Sequence, residues 1–167
     1  MEDNSNISIR RAKREDSALI FHFIQQIAEY EKMSDQVKTR EKDIEQNIFD
    51  KHQADVILAF WDEEPAGFAL FFPNFSTFEG RAGLYLEDIF VDKNLRGKGI
   101  GSALFNAVAK EAYSRGCPRL EWSCLNWNTP SIDFYLRKNA VPMTGWTTYR
   151  LTSEYIKKCA ENSSFEI

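Results

Sequence analysis

Long apolar runs are missing from this 167-residue sequence. The longest, such as Ala66 to Phe72, fall far short of the ~20 residues a helical bilayer span needs, so neither a transmembrane helix nor a membrane partner is expected. Cysteine is scarce. Cys117, Cys124 and Cys159 cannot all pair within one chain, and no two of them form a Cys-x-x-Cys unit, which argues against structural disulfides and against zinc. The two histidines, His22 and His52, sit in surface-type helical contexts, so Cys124 has no nearby base to make it a nucleophile. Positive charge is in slight deficit, with 21 basic against 25 acidic residues and a net charge of -4. That balance weighs against nucleic acid and mildly favours a cationic ligand. The opening Met1-Glu2-Asp3-Asn4-Ser5-Asn6 lacks the basic and then apolar pattern of a secretory signal, and a cytoplasmic protein is expected. What is present is core material. Hydrophobic residues make up 43% of the chain and aromatics 14%, with 13 Phe, the composition of a soluble globular protein. No internal repeat, low-complexity tract or linker divides it, so residues 1–167 read as one α/β domain with loose ends at 1–6 and 161–167.

Ile7 and Ile9 suggest a first strand, and Glu15-Asp16-Ser17 a cap for a helix whose stripe is Leu19, Phe23, Ile24, Ile27 and Tyr30. Thr39 is placed to cap a second, surface helix running to about Asp50. Asp55 to Trp61 and Ala66 to Phe72 predict an antiparallel hairpin turning at Asp62-Glu63-Glu64-Pro65. Asn74 to Gly83 is polar but carries Phe75 and Phe78, a composition that suggests contact with a ligand. Gly83 to Val91 predicts a strand, Ile100 to Tyr113 a helix ended by Gly116 and Pro118, and Arg119 to Cys124 another short strand. Pro130 suits the first turn of a helix to about Asn139. Trp146 to Leu151 predicts a last strand, and Ser153 to Ala160 a terminal helix.

The chemistry concentrates where the strand ending at Val91 meets Arg96-Gly97-Lys98-Gly99-Ile100-Gly101-Ser102. Three alternate glycines between a strand and a helix let bare backbone approach an anion while helix-end amides point at it. A tight turn alone would explain one or two glycines; three, with Arg96 and Lys98 beside them, point to a phosphate-bearing cofactor. The segment is no Walker loop, since no Gly-Lys-Ser/Thr follows at the required spacing. It also fails the dinucleotide fingerprint, because Leu104 or Ser102 stands where the third glycine belongs. Upstream, Glu87 and Asp88 adjoin each other in an otherwise apolar strand, where regular geometry points them to opposite faces. Each reads as a satisfied structural acid or as a carboxylate with its pKa lifted toward general-base range. Tyr135 reads from spacing alone as core.

The segment Arg96-Gly97-Lys98-Gly99-Ile100-Gly101 resembles the acyl-CoA pyrophosphate loop, Arg/Gln-x-x-Gly-x-Gly/Ala, of the GNAT N-acetyltransferase superfamily. Asn126 to Tyr135 is similar to the Asn-x-x-Ser/Ala-x-x-x-Tyr region of the same superfamily. Leu84-Tyr85-Leu86-Glu87-Asp88, Glu29-Tyr30-Glu31-Lys32 and Ser34-Asp35-Gln36-Val37 resemble its diamine (spermidine/spermine) and thialysine acetyltransferase branch. The likeness runs from about Ile7 to Ile156.

The resemblance implies a mixed, mostly antiparallel sheet flanked by helices and splayed at an acetyl-CoA groove, with no metal. It implies that backbone at Ile89, Phe90 and Val91 holds the pantetheine arm. The loop Arg96, Gly97, Lys98, Gly99, Ile100, Gly101 and Ser102 would cradle the pyrophosphate, and Asn128 and Ser131 would complete the groove. Glu87 would act as general base through water, Tyr135 as the acid that protonates the CoA thiolate, and Tyr30 and Glu31 would contact the acceptor amine. Polyamine enzymes of this branch carry an acidic Asp-Pro-Trp stretch where this chain has Phe75-Ser76-Thr77-Phe78. Ser76 and Thr77 resemble the thialysine type, whose amino-acid acceptors bring a carboxylate that hydroxyls can receive. The expected reaction is acetyl transfer to a small-molecule primary amine by a homodimer. The alternatives are acetylation of protein amino termini or lysines, and a non-catalytic acyl-CoA-binding module.

Overall fold

The computed structural model describes residues 6–165, which divide into two compact units between Ser123 and Cys124. The first unit is built on a five-stranded sheet in the order β1-β2-β3-β4-β5, made of β1 (Ile7–Arg11), β2 (Asp55–Trp61), β3 (Glu64–Ser76), β4 (Arg81–Val91) and β5 (Leu120–Glu121). The first four strands pair antiparallel and β5 joins β4 in parallel, which is the mixed sheet that was expected. The β2–β3 turn is tighter than the sequence suggested. Asp62 and Glu63 both take positive φ, 48° and 68°, the two-residue hairpin geometry that matches strand twist, and β3 begins at Glu64. The polar stretch after Asn74 is no open loop, because β3 and β4 stay paired out to Ser76 and Arg81.

Helix α1 (Ser17–Tyr30) lies on one face of the sheet. Its Ile20 and Phe23 pack with Val56, Leu58, Phe68 and Phe90, and the Phe23 ring stacks on Phe68 at 5.6 Å between centroids. Helix α2 starts at Glu41 rather than at a Thr39 cap, and its last turns, Glu45–Asp50, are π-helical. Arg40 takes the capping position because the Asp43 carboxylate accepts its amide N–H at 2.9 Å. Helix α3 (Ile100–Ser114) is tied to the strands by Arg11–Glu111 and Arg115–Asp55 ion pairs. Gly116, at φ 68°, closes α3 with its amide donating to the Tyr113 carbonyl.

The second unit holds α4 (Thr129–Arg137) and α5 (Ser153–Glu161). The strand expected at Trp146–Leu151 is not formed, since a strand exists only where a ladder partner does, and none pairs with this segment among the described residues. The strand expected over Arg119–Cys124 shrinks to Leu120–Glu121 for the same reason. Of the loose ends expected, residues 1–5 and 166–167 lie outside the described residues, while Glu161 completes α5. No helix among the described residues is long and apolar enough to cross a membrane.

Candidate active site

Strand β5 pairs with β4 only at Leu84 and Tyr85. Among the described residues, therefore, β4 has no neighbouring strand on that side from Leu86 to Val91, an edge along which an extended ligand could lie. The chain then passes through a 3-10 turn, Lys93–Leu95, into the glycine loop. Gly97 and Gly99 both take positive φ, 80° and 83°, a region other residues enter only with strain. Gly99 is the N-cap of α3, so the first amides of that helix, from Ile100, Gly101 and Ser102, project from its amino terminus. A Cβ on Gly101 would meet only Val91 Cγ2, at 3.7 Å, so packing does not require this glycine.

The carboxylates are organised by a feature absent from the sequence pattern. The β3–β4 register shifts between Leu70 and Phe71, so that Leu70 opposes Asp88, Phe71 opposes Leu86, and Glu87 is the extra, bulged residue. Opposed residues share a face. Leu86 therefore lies on the face of Phe71, whereas Asp88 lies with Leu70, Phe68 and Phe90 on the α1 face. The alternation of the strand is broken between Leu86 and Asp88, which lie on different faces. Glu87 is exposed, and Asp88 is partly buried and turned toward the helix that ends at Tyr30 and Glu31. Burial, then the Glu87 charge, then the Glu31 charge push the Asp88 carboxyl up from 3.8 to about 7. Burial also raises Glu31. Glu31 and Glu87 thus stand near enough for their charges to act on Asp88, a group of acidic side chains suited to an ammonium group.

A carboxyl raised on folding favours its protonated form in the folded state only. Its contribution to stability is complete below the unfolded value and is lost as pH rises through about 7. Asp88→Asn keeps the shape and removes the charge. It is expected to raise the melting temperature at about pH 8 by several degrees, ~2–4 °C per kcal/mol recovered, with the gain vanishing toward about pH 4. A gain equal at both pH values, read by thermal denaturation, would contradict this electrostatic origin.

The structure brings Tyr30, Glu31, Glu87 and the glycine loop into the first unit, but Ser76 and Thr77 stand apart from the carboxylates. Arg81, the partner of Ser76, lies six residue steps along β4 from Glu87, about 20 Å of extended chain. Ser76 is 2% exposed, and its hydroxyl accepts the Glu79 amide N–H at 3.3 Å, so it serves the hairpin turn. Phe75 and Phe78 are exposed at the same tip. In the second unit Asn128 precedes α4, Ser131 lies in its first turn beside Pro130, and Tyr135 lies near its end with its ring against Phe134. Sequence reasoning undervalued Asp88: no local signal announces the bulge that turns it toward α1.

The sequence profile of the Acetyltransferase (GNAT) family matches residues 21–139. The chain belongs to the GNAT family of acetyltransferases. Among GNAT relatives it is similar to a thialysine N-epsilon-acetyltransferase of Bos taurus, 34% identical over 92% of this chain and 97% of that protein. An L-ornithine N5-acetyltransferase of Arabidopsis thaliana is 42% identical over 55% of this chain and 40% of its own length. The solved structure of an integron cassette protein from the mobile metagenome of V. cholerae superposes with a TM-score of 0.77 at 26% identity, covering 94% of this chain and 99% of that one. As a GNAT enzyme the protein is an acetyl-CoA-dependent N-acetyltransferase. Its residues fit that donor. Positive-φ glycines at a helix amino terminus suit a diphosphate, and the unpaired edge of β4 suits the amides of a pantetheine arm.

Proposed function

We propose that this protein acetylates the primary amine of a small molecule, of thialysine, lysine-like or short diamine type. The observation that carries this reading is the group of acidic side chains, Glu31, Glu87 and Asp88, beside the edge of β4 that leads into the glycine loop. An acceptor amine is an ammonium ion at neutral pH. The negative charges of Glu31 and Glu87 attract it, and a carboxylate must help remove its proton before the nitrogen can attack.

In this reading the backbone of Ile89, Phe90 and Val91 holds the pantetheine arm, and amides from Arg96 through Ser102 receive the diphosphate. Asn128 and Ser131 add to the groove. Glu87, exposed on the bulge, takes the ammonium proton through water, and Asp88 is poised by its raised pKa to share that work. Tyr135 donates its phenolic proton to the sulfur of the departing CoA. The groups act on one acetyl-CoA and one amine held together, so positioning supplies much of the rate. Ser76 and Thr77 are left out of the acceptor site, because the hairpin tip lies too far along β4 from the carboxylates.

We also propose that residues 1–167 act as one cytoplasmic acetyltransferase domain, paired as a homodimer through the carboxy-terminal segment. Trp146, Tyr149 and Leu151 are 78%, 90% and 58% exposed, apolar surface that pairing with a second copy would cover. The substrate reading is checked by measuring kcat/KM for thialysine, ornithine, a short diamine and spermidine side by side. Thialysine or the short amines are expected to exceed spermidine by about tenfold, in keeping with the thialysine and L-ornithine acetyltransferases to which the chain is similar. A spermidine preference would contradict it.

A further inference from the structure

A second polar group shares the sheet face of Asp88. Strand β3 alternates regularly across the register shift, so Leu70, Phe72 and Asn74 lie on the α1 face together with their partners Asp88, Tyr85 and Gly83. The bulge at Glu87 draws Tyr85 to within two β3 residues of Asp88, about 7 Å. One strand over, Glu121 pairs with Tyr85 and joins the same face. Glu121 Oε1 accepts from Arg119 Nε at 2.8 Å and from Asn74 Nδ2 at 3.1 Å. A Cβ on Gly83 would stand 2.6 Å from Asn74 Oδ1 and 3.2 Å from Arg119 Cγ, so only glycine lets the amide cross β4 and the Arg119 stem lie over it. Asn74 Oδ1 is buried with no hydrogen-bond partner among the described residues, which commits the amide to holding Glu121.

On that face Tyr85 lies between the two polar groups. Its ring centroid is 5.3 Å from that of Phe72 and its hydroxyl is 2.9 Å from Ser123 Oγ, so both ends of the side chain are held. An aromatic floor between two polar poles suits a short methylene chain charged at each end. The near pole, Glu31, Glu87 and Asp88, is acidic. The far pole is a cation paired with an anion, and the Arg119 and Glu121 side chains keep 42% and 37% of their surface exposed. Such a pair complements the zwitterionic head of an α-amino acid, carboxylate to guanidinium and ammonium to carboxylate, whereas a bare second ammonium meets the Arg119 charge. We propose that Arg119 and Glu121 form the recognition subsite for the α-amino-acid head of an acceptor whose side-chain amine reacts at Glu87, with the chain between lying on Tyr85. This rests on the acetyl-transfer reading above and narrows its acceptor to a diamino acid. The length fits: the backbones at Glu121 and Asp88 are offset by about 7 Å along the strands and about 5 Å across them, and an ornithine or thialysine side chain spans about 5–7 Å when extended.

The test compares acceptors that differ only in the head: ornithine with putrescine, which is ornithine without its carboxylate, and lysine with cadaverine. In the unmodified protein each amino acid is expected to exceed its matched diamine in kcat/KM by about tenfold. Arg119→Met is expected to lower the ornithine-to-putrescine ratio about tenfold, through the KM for ornithine rather than kcat, and Arg119→Lys to restore part of it. Glu121→Gln is expected to raise the KM for ornithine about tenfold, again with little change in kcat. Circular dichroism and melting temperature identify any variant that has lost its fold, and Arg119→Gln then takes the place of Arg119→Met. An unchanged ratio, whether both acceptors weaken equally or neither does, would leave the pair a structural role only and overturn the inference, as would a preference of the unmodified protein for the diamines. A wild-type protein that acetylates no amine refutes the functional reading itself. The subsite is then judged by calorimetry of ornithine binding in the presence of CoA: binding weakened about tenfold by Arg119→Met supports it, and no binding, or binding equal in the two proteins, overturns it.

Discussion

Gly101→Asp is expected to raise the acetyl-CoA dissociation constant at least about 100-fold without unfolding the protein. The substitution puts a carboxylate into the first turn of α3, where a negative side chain stabilises a helix through its dipole. Nothing but Val91 Cγ2, at 3.7 Å, stands near the new Cβ, so the backbone need not move. The same charge would occupy the anion site and repel the diphosphate by about 4 kcal/mol for unit charges ~4 Å apart at an effective dielectric near 20, more than enough for two powers of ten. Gly99→Asp is the less informative change, since Gly99 holds φ 83° and any side chain there adds backbone strain. Calorimetry and ligand-induced shifts in melting temperature provide the readout. Wild-type stabilisation by acetyl-CoA in Gly101→Asp would remove the loop from the donor site.

Tyr135→Phe is expected to lower kcat by roughly 10²-fold or more with acetyl-CoA affinity nearly unchanged. The expelled CoA thiolate needs a proton, and a phenol whose ordinary pKa is about 10 can supply one at neutral pH. Phenylalanine keeps the ring and its contact with Phe134, so the loss isolates the hydroxyl. Single-turnover measurement separates this from slow product release. Wild-type turnover would return Tyr135 to the core role that its spacing alone suggests.

The glycine loop was legible in the sequence because its requirement is local: positive φ at Gly97 and Gly99 and a free helix amino terminus leave a mark residue by residue. The β2–β3 hairpin and the end of α3 at Gly116 were legible for the same reason. The acidic cluster was only half legible. Glu87 and Asp88 were visible as an anomaly in an apolar strand, but a bulge without Gly or Pro carries no signature, and it decides that Asp88 shares a face with Phe90. The elevation of Asp88 to about 7 comes first from burial, then from the Glu87 and Glu31 charges, and so depends on tertiary packing. Ser76 misled because a serine in a polar stretch looks available, whereas the structure buries it in a turn. Trp146–Leu151 carries strand-forming residues without a ladder partner among the described residues, and propensity cannot report that.

The central claim, that the protein joins acetyl-CoA to the amine of a small molecule, is tested most directly by incubating it with acetyl-CoA and thialysine, ornithine, a short diamine or an amino-terminal peptide. CoA thiol release and the mass of each acceptor are then followed together. The account predicts thiol release matched one for one by a single added acetyl group on the small amines, faster than on the peptide. Acetylation of the peptide alone, or acetyl-CoA binding with no acetylated product, would contradict it.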